Sequence, residues 1–171
     1  MALNNFFCVY ILALLSIAIA SPLLEERDAW SDSVLASHNA ARVKYGANPL
    51  TWDSALYTST LQWAQGCKFT HSSGQYGENL YASTGTNIGV EPAVNSWMSE
   101  ASKYNYNNPG FSSTTGHFTQ VVWKSTTKVA CARATCASGT IFSQPSTYVV
   151  CRYNPPGNYA GQYAQNVGVP V

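Results

Sequence analysis

The chain has 171 residues, enough for one domain and short for two. Charged residues make up only 10%, and nine basic against eight acidic side chains leave a net charge of +1, which excludes a nucleic-acid binder that works through a basic field. Hydrophobic residues at 46% and aromatic residues at 13% exclude a disordered chain.

Residues 6–20 (FFCVYILALLSIAIA) are apolar apart from Ser16. The run is shorter than the about 20 residues a helix needs to cross a bilayer. Ala18-Ile19-Ala20, followed by Ser21-Pro22, has the small-x-small pattern of a signal-peptide cleavage site, although MALNN lacks the usual Lys or Arg. Residues 1–20 are therefore expected to be a signal peptide, with an uncleaved anchor as the weaker alternative. The mature protein is expected to be secreted, with an N-terminal segment 21–32 ahead of one domain over 33–171.

Ser33 to Tyr45 places Val34, His38, Ala41 and Tyr45 at helical spacing, stopped by Gly46 and Pro49. His38 and Arg42 read as packed, hydrogen-bonded residues of this helix, Arg42 bonding a carboxylate or carbonyl. Asp53 is an N-cap for a second helix with a face of Leu56, Thr60, Trp63 and Cys67. His71 and Glu78 follow in THSSGQYGENL, a Gly-rich loop. Glu91-Pro92 opens a third helix with the face Ala93, Trp97, Glu100 and Tyr104. Phe118 to Trp123 reads as a strand begun by His117, which would put that imidazole at a sheet end. Lys128 to Thr135 and Thr147 to Tyr153 read as a hairpin, and the tail 154–171 as an extended segment laid over the domain. Helices followed by strands predict an α+β domain with helices on a small, mainly antiparallel sheet.

Loss of the leader leaves Cys67, Cys131, Cys136 and Cys151, an even set that in an oxidising compartment points to two disulfides. A hairpin centred near Ile141 puts Cys131 opposite Cys151. Cys136 then points to the other face of the strand, which leaves it for Cys67. Zinc at these cysteines is the weaker alternative, because no C-x-x-C pair is present.

Glu100 lies on the apolar stripe of the third helix, where a carboxylate is costly unless paired. With His71, Glu78 and His117 it offers two imidazoles and two carboxylates that one cleft could collect. Taken singly, each has an ordinary structural reading.

The segments HNAAR (38–42), YGENL (76–80), SWMSEASKYNY (96–106), GHFTQVVW (116–123) and YVVCRYNPPGNY (148–159) resemble the signature segments of the CAP superfamily. These are the cysteine-rich secretory, antigen 5 and pathogenesis-related-1 proteins. GHFTQVVWKSTTKVACA and the ending QNVGVP are most similar to fungal pathogenesis-related-1-like members. The resemblance implies a three-layer α-β-α sandwich, a secreted location, and the two disulfides above without the third bridge of plant members. It places a cleft tetrad on His71, Glu78, Glu100 and His117, which would either hold a divalent cation, zinc or magnesium, or be structural. A metal-dependent hydrolase is the third reading, with little support, since no H-E-x-x-H helix or G-x-S-x-G elbow occurs. It further implies a sterol-holding loop at Tyr104, Tyr106, Pro109, Gly110 and Phe111, and a fatty-acid groove between helices. The expected function is a monomeric, non-enzymatic lipid carrier with no nucleic-acid partner and no stable membrane insertion. The alternative is a defence or virulence interaction protein, or the precursor of a signalling peptide released near Asn154 to Tyr159.

Overall fold

A computed structural model describes residues 22–171, so the expected signal peptide and its cleavage point lie outside the described residues. The first helix, α1 (Pro22–Val43), begins well before the spacing over 33–45 suggests. It takes in almost all of the segment 21–32 that the sequence sets apart. Trp30 explains why: it is buried and donates its indole N–H to the Cys131 carbonyl at 2.7 Å. The polar run before it gives no apolar stripe to read.

Strand β1 (Thr51–Trp52) leads into α2 (Ser54–Gln65), capped as expected by the Asp53 carboxylate, which accepts from Ala55 N–H at 3.1 Å and Leu56 N–H at 3.3 Å. Strand β2 (Gly77–Thr84) and helix α3 (Glu91–Met98) follow, and a 3-10 turn over Ser99–Lys103 continues α3. The chain ends with α4 (Gly116–Val122), β3 (Lys128–Cys136), β4 (Ser146–Asn154) and α5 (Tyr163–Asn166).

The strands form one sheet in the order β1-β3-β4-β2, antiparallel except for the β1–β3 pair. Strand alternation sends side chains to two faces. Val129, Cys131, Val149, Cys151 and Tyr153 join a core with Val34 of α1, Trp97 of α3 and Phe118 of α4. Leu80, Ala132, Cys136, Tyr148 and Val150 pack with Ala64 of α2 on the opposite side. The result is the α+β, three-layer α-β-α arrangement. Cys131 pairs with Cys151 across the hairpin, and Cys136 on the other face pairs with Cys67. The second bridge closes a loop with a sequence separation of 69, worth about 4 kcal/mol in the chain-entropy account.

Two elements correct the sequence reading. FTQVVW is helix, not strand, so His117 stands at a helix N-terminus rather than a sheet end. Its β-branched and aromatic residues favour a strand. Phe118, Thr119, Gln120, Val121 and Val122 are nevertheless all buried, and a short segment buried all round hides its period. Glu78 lies on a strand, not in a loop: β2 pairs with β4 from Gly77↔Tyr153 to Thr84↔Ser146. Gly77 lets the Gln120 amide pack against the strand, and a Cβ there would force that amide to shift. The tail is mainly extended as expected, but α5 interrupts it and buries Tyr163 against Trp123.

Candidate functional site

Glu78 on β2 and its cross-strand partner Arg152 on β4 form the first half of the site. The Glu78 carboxylate lies 3.0 Å from His71 Nδ1 and accepts from Ser72 N–H at 2.8 Å, from the Ser72 hydroxyl, and from Arg152 Nε at 3.1 Å. Arg152 also donates to Ser72 Oγ at 3.0 Å and Ser59 Oγ at 3.1 Å, and it lies over the Tyr76 ring at 4.4 Å. Burial works against the charged form of Glu78, but the bonds from His71, Ser72 and Arg152 prevail and hold its carboxyl at about 2. The same bond to Glu78 outweighs burial at His71 and raises its imidazole above the ordinary range.

The second half is built on Glu100 in the 3-10 turn. Its Oε2 accepts the N–H groups of His117 at 3.0 Å and Phe118 at 3.1 Å, and its Oε1 lies 2.8 Å from His117 Nδ1. No side chain of Thr115 caps α4, so a carboxylate from another element satisfies these amides. Glu100→Ala is therefore expected to destabilise the fold by about 2 kcal/mol in urea unfolding, through two orphaned amides. A change below about 0.5 kcal/mol would show that α4 needs no such cap.

Asn79 ties this half to the core. Its Nδ2 donates to the His117 carbonyl at 3.0 Å and to the Tyr153 hydroxyl at 3.3 Å. That hydroxyl lies 3.0 Å from His38 Nε2, while His38 Nδ1 lies 2.8 Å from the Val34 carbonyl. Nδ1 therefore carries the proton and Nε2 accepts from Tyr153. Burial brings His38 down to about 4, so it is neutral, as its packed helical reading requires.

His71, Glu78 and His117 line one cleft of about 200 Å³, with Phe111, Gly116 and Asn158 among its other walls. Glu100 stands behind His117. Each imidazole gives Nδ1–H to a carboxylate, which leaves Nε2 with its lone pair. That is the carboxylate–histidine arrangement found among metal ligands, with the glutamates as orienting groups. A second cluster, His38 with Cys131 and Cys151, brings its ligand atoms within 4.8 Å of one another. It cannot serve, because the cysteines are bridged and both His38 nitrogens are engaged.

The five expected lipid-loop residues do not form one surface. Tyr104 is a core residue, with ring centroids 5.7 Å from Phe118 and 4.9 Å from Tyr106. Tyr106 is half-buried against the same core, while Pro109 is exposed and Gly110 half-exposed. Phe111 is 68% exposed, beside Gly116 in the cleft wall. Elsewhere a cleft of about 350 Å³ separates α1 from α3, walled by Ala40, Ala41, Val94 and Met98 with Lys44 and Glu91. Arg152, Asn79 and Ser72 are functional neighbours the sequence reading did not single out. An arginine inside the apolar strand YVVCRY was the available signal, since a buried guanidinium needs a partner.

Residues 35–153 match the CAP family, described as the Cysteine-rich secretory protein family. The chain is 40% identical over 156 residues to pathogenesis-related protein 1 of Arabidopsis thaliana, covering 89% of this chain and 91% of that one. It is 38% identical over 143 residues to protein PRY2 of Saccharomyces cerevisiae, covering 81% of this chain but 41% of that one. A solved structure described as NaASP2 with Zn2+ matches with a TM-score of 0.67 at 23% identity, over 82% of this chain and 87% of that one. At that identity the likeness is one of fold.

Proposed function

The chain belongs to the CAP family and is of pathogenesis-related-1 type; on that premise we propose that it is a secreted carrier of small neutral lipids, sterols first, acting by binding rather than catalysis. The observation that carries this reading is Phe111, an aromatic face 68% exposed directly after Pro109-Gly110 and in the wall of the His71/His117 cleft. A flat ring system laid against Phe111 and Pro109 would gain roughly 25 cal/mol for each Å² of apolar surface it buries. The cleft of about 200 Å³ is smaller than the about 300–1,000 Å³ that encloses a drug-sized ligand. A sterol is therefore held partly outside it, against Phe111 and Pro109.

His71 and His117 would hold a divalent cation through Nε2, and such an ion would fasten the two halves of the cleft. Hydrolysis has less support. Glu78 is held ionised at about 2 and is a weak general base, and all four cysteines of the domain are bridged. The α1–α3 cleft is the candidate for fatty acids as second ligands, with Ala40, Ala41, Val94 and Met98 for a chain and Lys44 for a carboxylate, in a lining that also holds Ser37, Asn95 and Glu91. A released signalling peptide is less favoured, because Gly157 N–H donates to Gln120 Oε1 at 2.9 Å and Asn158 Nδ2 to the Gly116 carbonyl at 2.9 Å.

Saturable ergosterol or cholesterol binding is the expected result, weakened at least about tenfold in a Pro109→Ala/Phe111→Ser double variant, with palmitate binding unaffected. Wild-type sterol affinity in that variant would remove the loop from the site. No saturable binding of either lipid, with or without chelator, would remove the carrier reading.

A further inference from the structure

Charge is distributed unevenly over this chain. From Tyr104 to Trp123 and again from Tyr153 to Val171, no Asp, Glu, Lys or Arg occurs. The fold brings these two charge-free stretches together. Asn158 Nδ2 donates to the Gly116 carbonyl at 2.9 Å, and Thr119 Oγ1 donates to Asn158 Oδ1 at 2.6 Å. Both loops therefore meet over Gly116 at the cleft. Each carries an exposed aromatic residue there: Phe111, 68% exposed, and Tyr159, 50% exposed and next to the cleft-lining Asn158. Tyr163 and Asn158 hold the second loop rigid, since the Tyr163 hydroxyl donates to the Asn158 carbonyl at 3.1 Å.

Two exposed aromatics on a rim of Ser, Thr, Asn and Pro suit the interface of a bilayer, where a phenyl ring reaches the acyl boundary and a phenol stays at headgroup depth. Absence of charge decides which bilayer. An anionic leaflet is recognised by clustered Lys or Arg, and the two stretches that carry this rim have none. A protein partner is less well matched, because a stable interface needs about 800 Å² per side and favours Arg among its anchors. Two side chains give less attachment than one acyl chain, which itself binds marginally and reversibly, so the contact is brief.

We propose that the rim carrying Phe111 and Tyr159 docks the cleft transiently onto a neutral, zwitterionic membrane surface, from which lipid enters or leaves. The proposal deepens the carrier reading and rests on it.

Co-sedimentation of the protein with sterol-free phosphatidylcholine vesicles tests it, beside an equilibrium sterol-binding assay in solution. The expected result is measurable vesicle association that is insensitive to salt and not raised by phosphatidylserine. Phe111→Ser and Tyr159→Ser should each lower it about tenfold. Tyr159→Ser should keep its sterol affinity in solution, because that residue is not part of the proposed sterol loop. Association only with anionic vesicles, no association at all, unchanged association in both variants, or capture of a protein partner by this face without vesicle binding would each overturn the docking face. Loss of sterol binding with vesicle association intact would instead remove the carrier reading alone.

Discussion

Arg42→Ala is expected to lower the free energy of unfolding by about 4 kcal/mol, measured by urea denaturation at neutral pH. Arg42 is fully buried, and its guanidinium is met by carbonyls instead of a carboxylate: Nε donates to Asn48 at 2.8 Å, Nη1 to Val121 and Trp123 at 2.9 Å, and Nη2 to Thr126 at 3.0 Å. Three of those carbonyls lie at the end of α4 or just beyond it, where the helix itself supplies no partners. Burial lowers the guanidinium to about 10, so the charge persists at neutral pH. Truncation removes four charge-assisted bonds and strands three carbonyls in the interior, that of Asn48 being at the surface. Arg42→Lys should recover only part of the loss, because one ammonium cannot span a planar fork of acceptors. A loss below about 1 kcal/mol for the alanine variant would mean that water replaces the guanidinium.

That arginine shows what one chain can and cannot disclose. Helical spacing placed it beside His38 on α1, but apart from Asn48 its acceptors lie far along the sequence, and nothing local points to them. Elements with a half-buried period were legible: α2 with its Asp53 cap, α3 with its Pro start, and the hairpin whose centre put Cys131 opposite Cys151. Elements buried all round were not. Helix α4 has strand-like composition and is held helical by Glu100 at one end and Arg42 at the other. Strand β2 follows a Gly-rich loop, and its pairing with β4 has no local signature.

The tetrad was legible as four residues, and its division into halves was not. Glu78 bonds His71 and Arg152, and Arg152 reaches Ser59 of α2, on one side of the sheet. Glu100 and His117 belong to the layer on the other side, and Asn79 on β2 links that half to the sheet. Because β2 is an edge strand, a cleft at its margin collects both. The lipid loop divides for a similar reason: Tyr104 and Tyr106 have core surface to cover, and Phe111, beyond the turn closed by Asn108 N–H on the Asn105 carbonyl, has none.

Glu78→Gln is expected to cost about 3 kcal/mol at pH 7 and progressively less as the pH falls. The amide can still accept a bond from Arg152, but that guanidinium, 3% exposed, loses its compensating charge. The sign of the pH dependence follows from the carboxyl, which titrates near 4.5 when unperturbed and at about 2 in the folded protein. Its contribution is complete above pH 4.5 and is lost as the pH drops through 2. The shift is worth at most about 3 kcal/mol, and solvent at the cleft mouth brings that nearer about 2. His71 acts in the opposite direction. Its raised pKa adds stability below the ordinary imidazole value, lost as pH rises through the folded one, and the effect is small because the ring is 62% exposed. Urea midpoints for wild type and variant from pH 2 to 8, with chelator present so that no ion competes, should therefore converge at the acid end. A gap that stays constant down to pH 2 would show that Arg152 is compensated by some group other than this carboxylate.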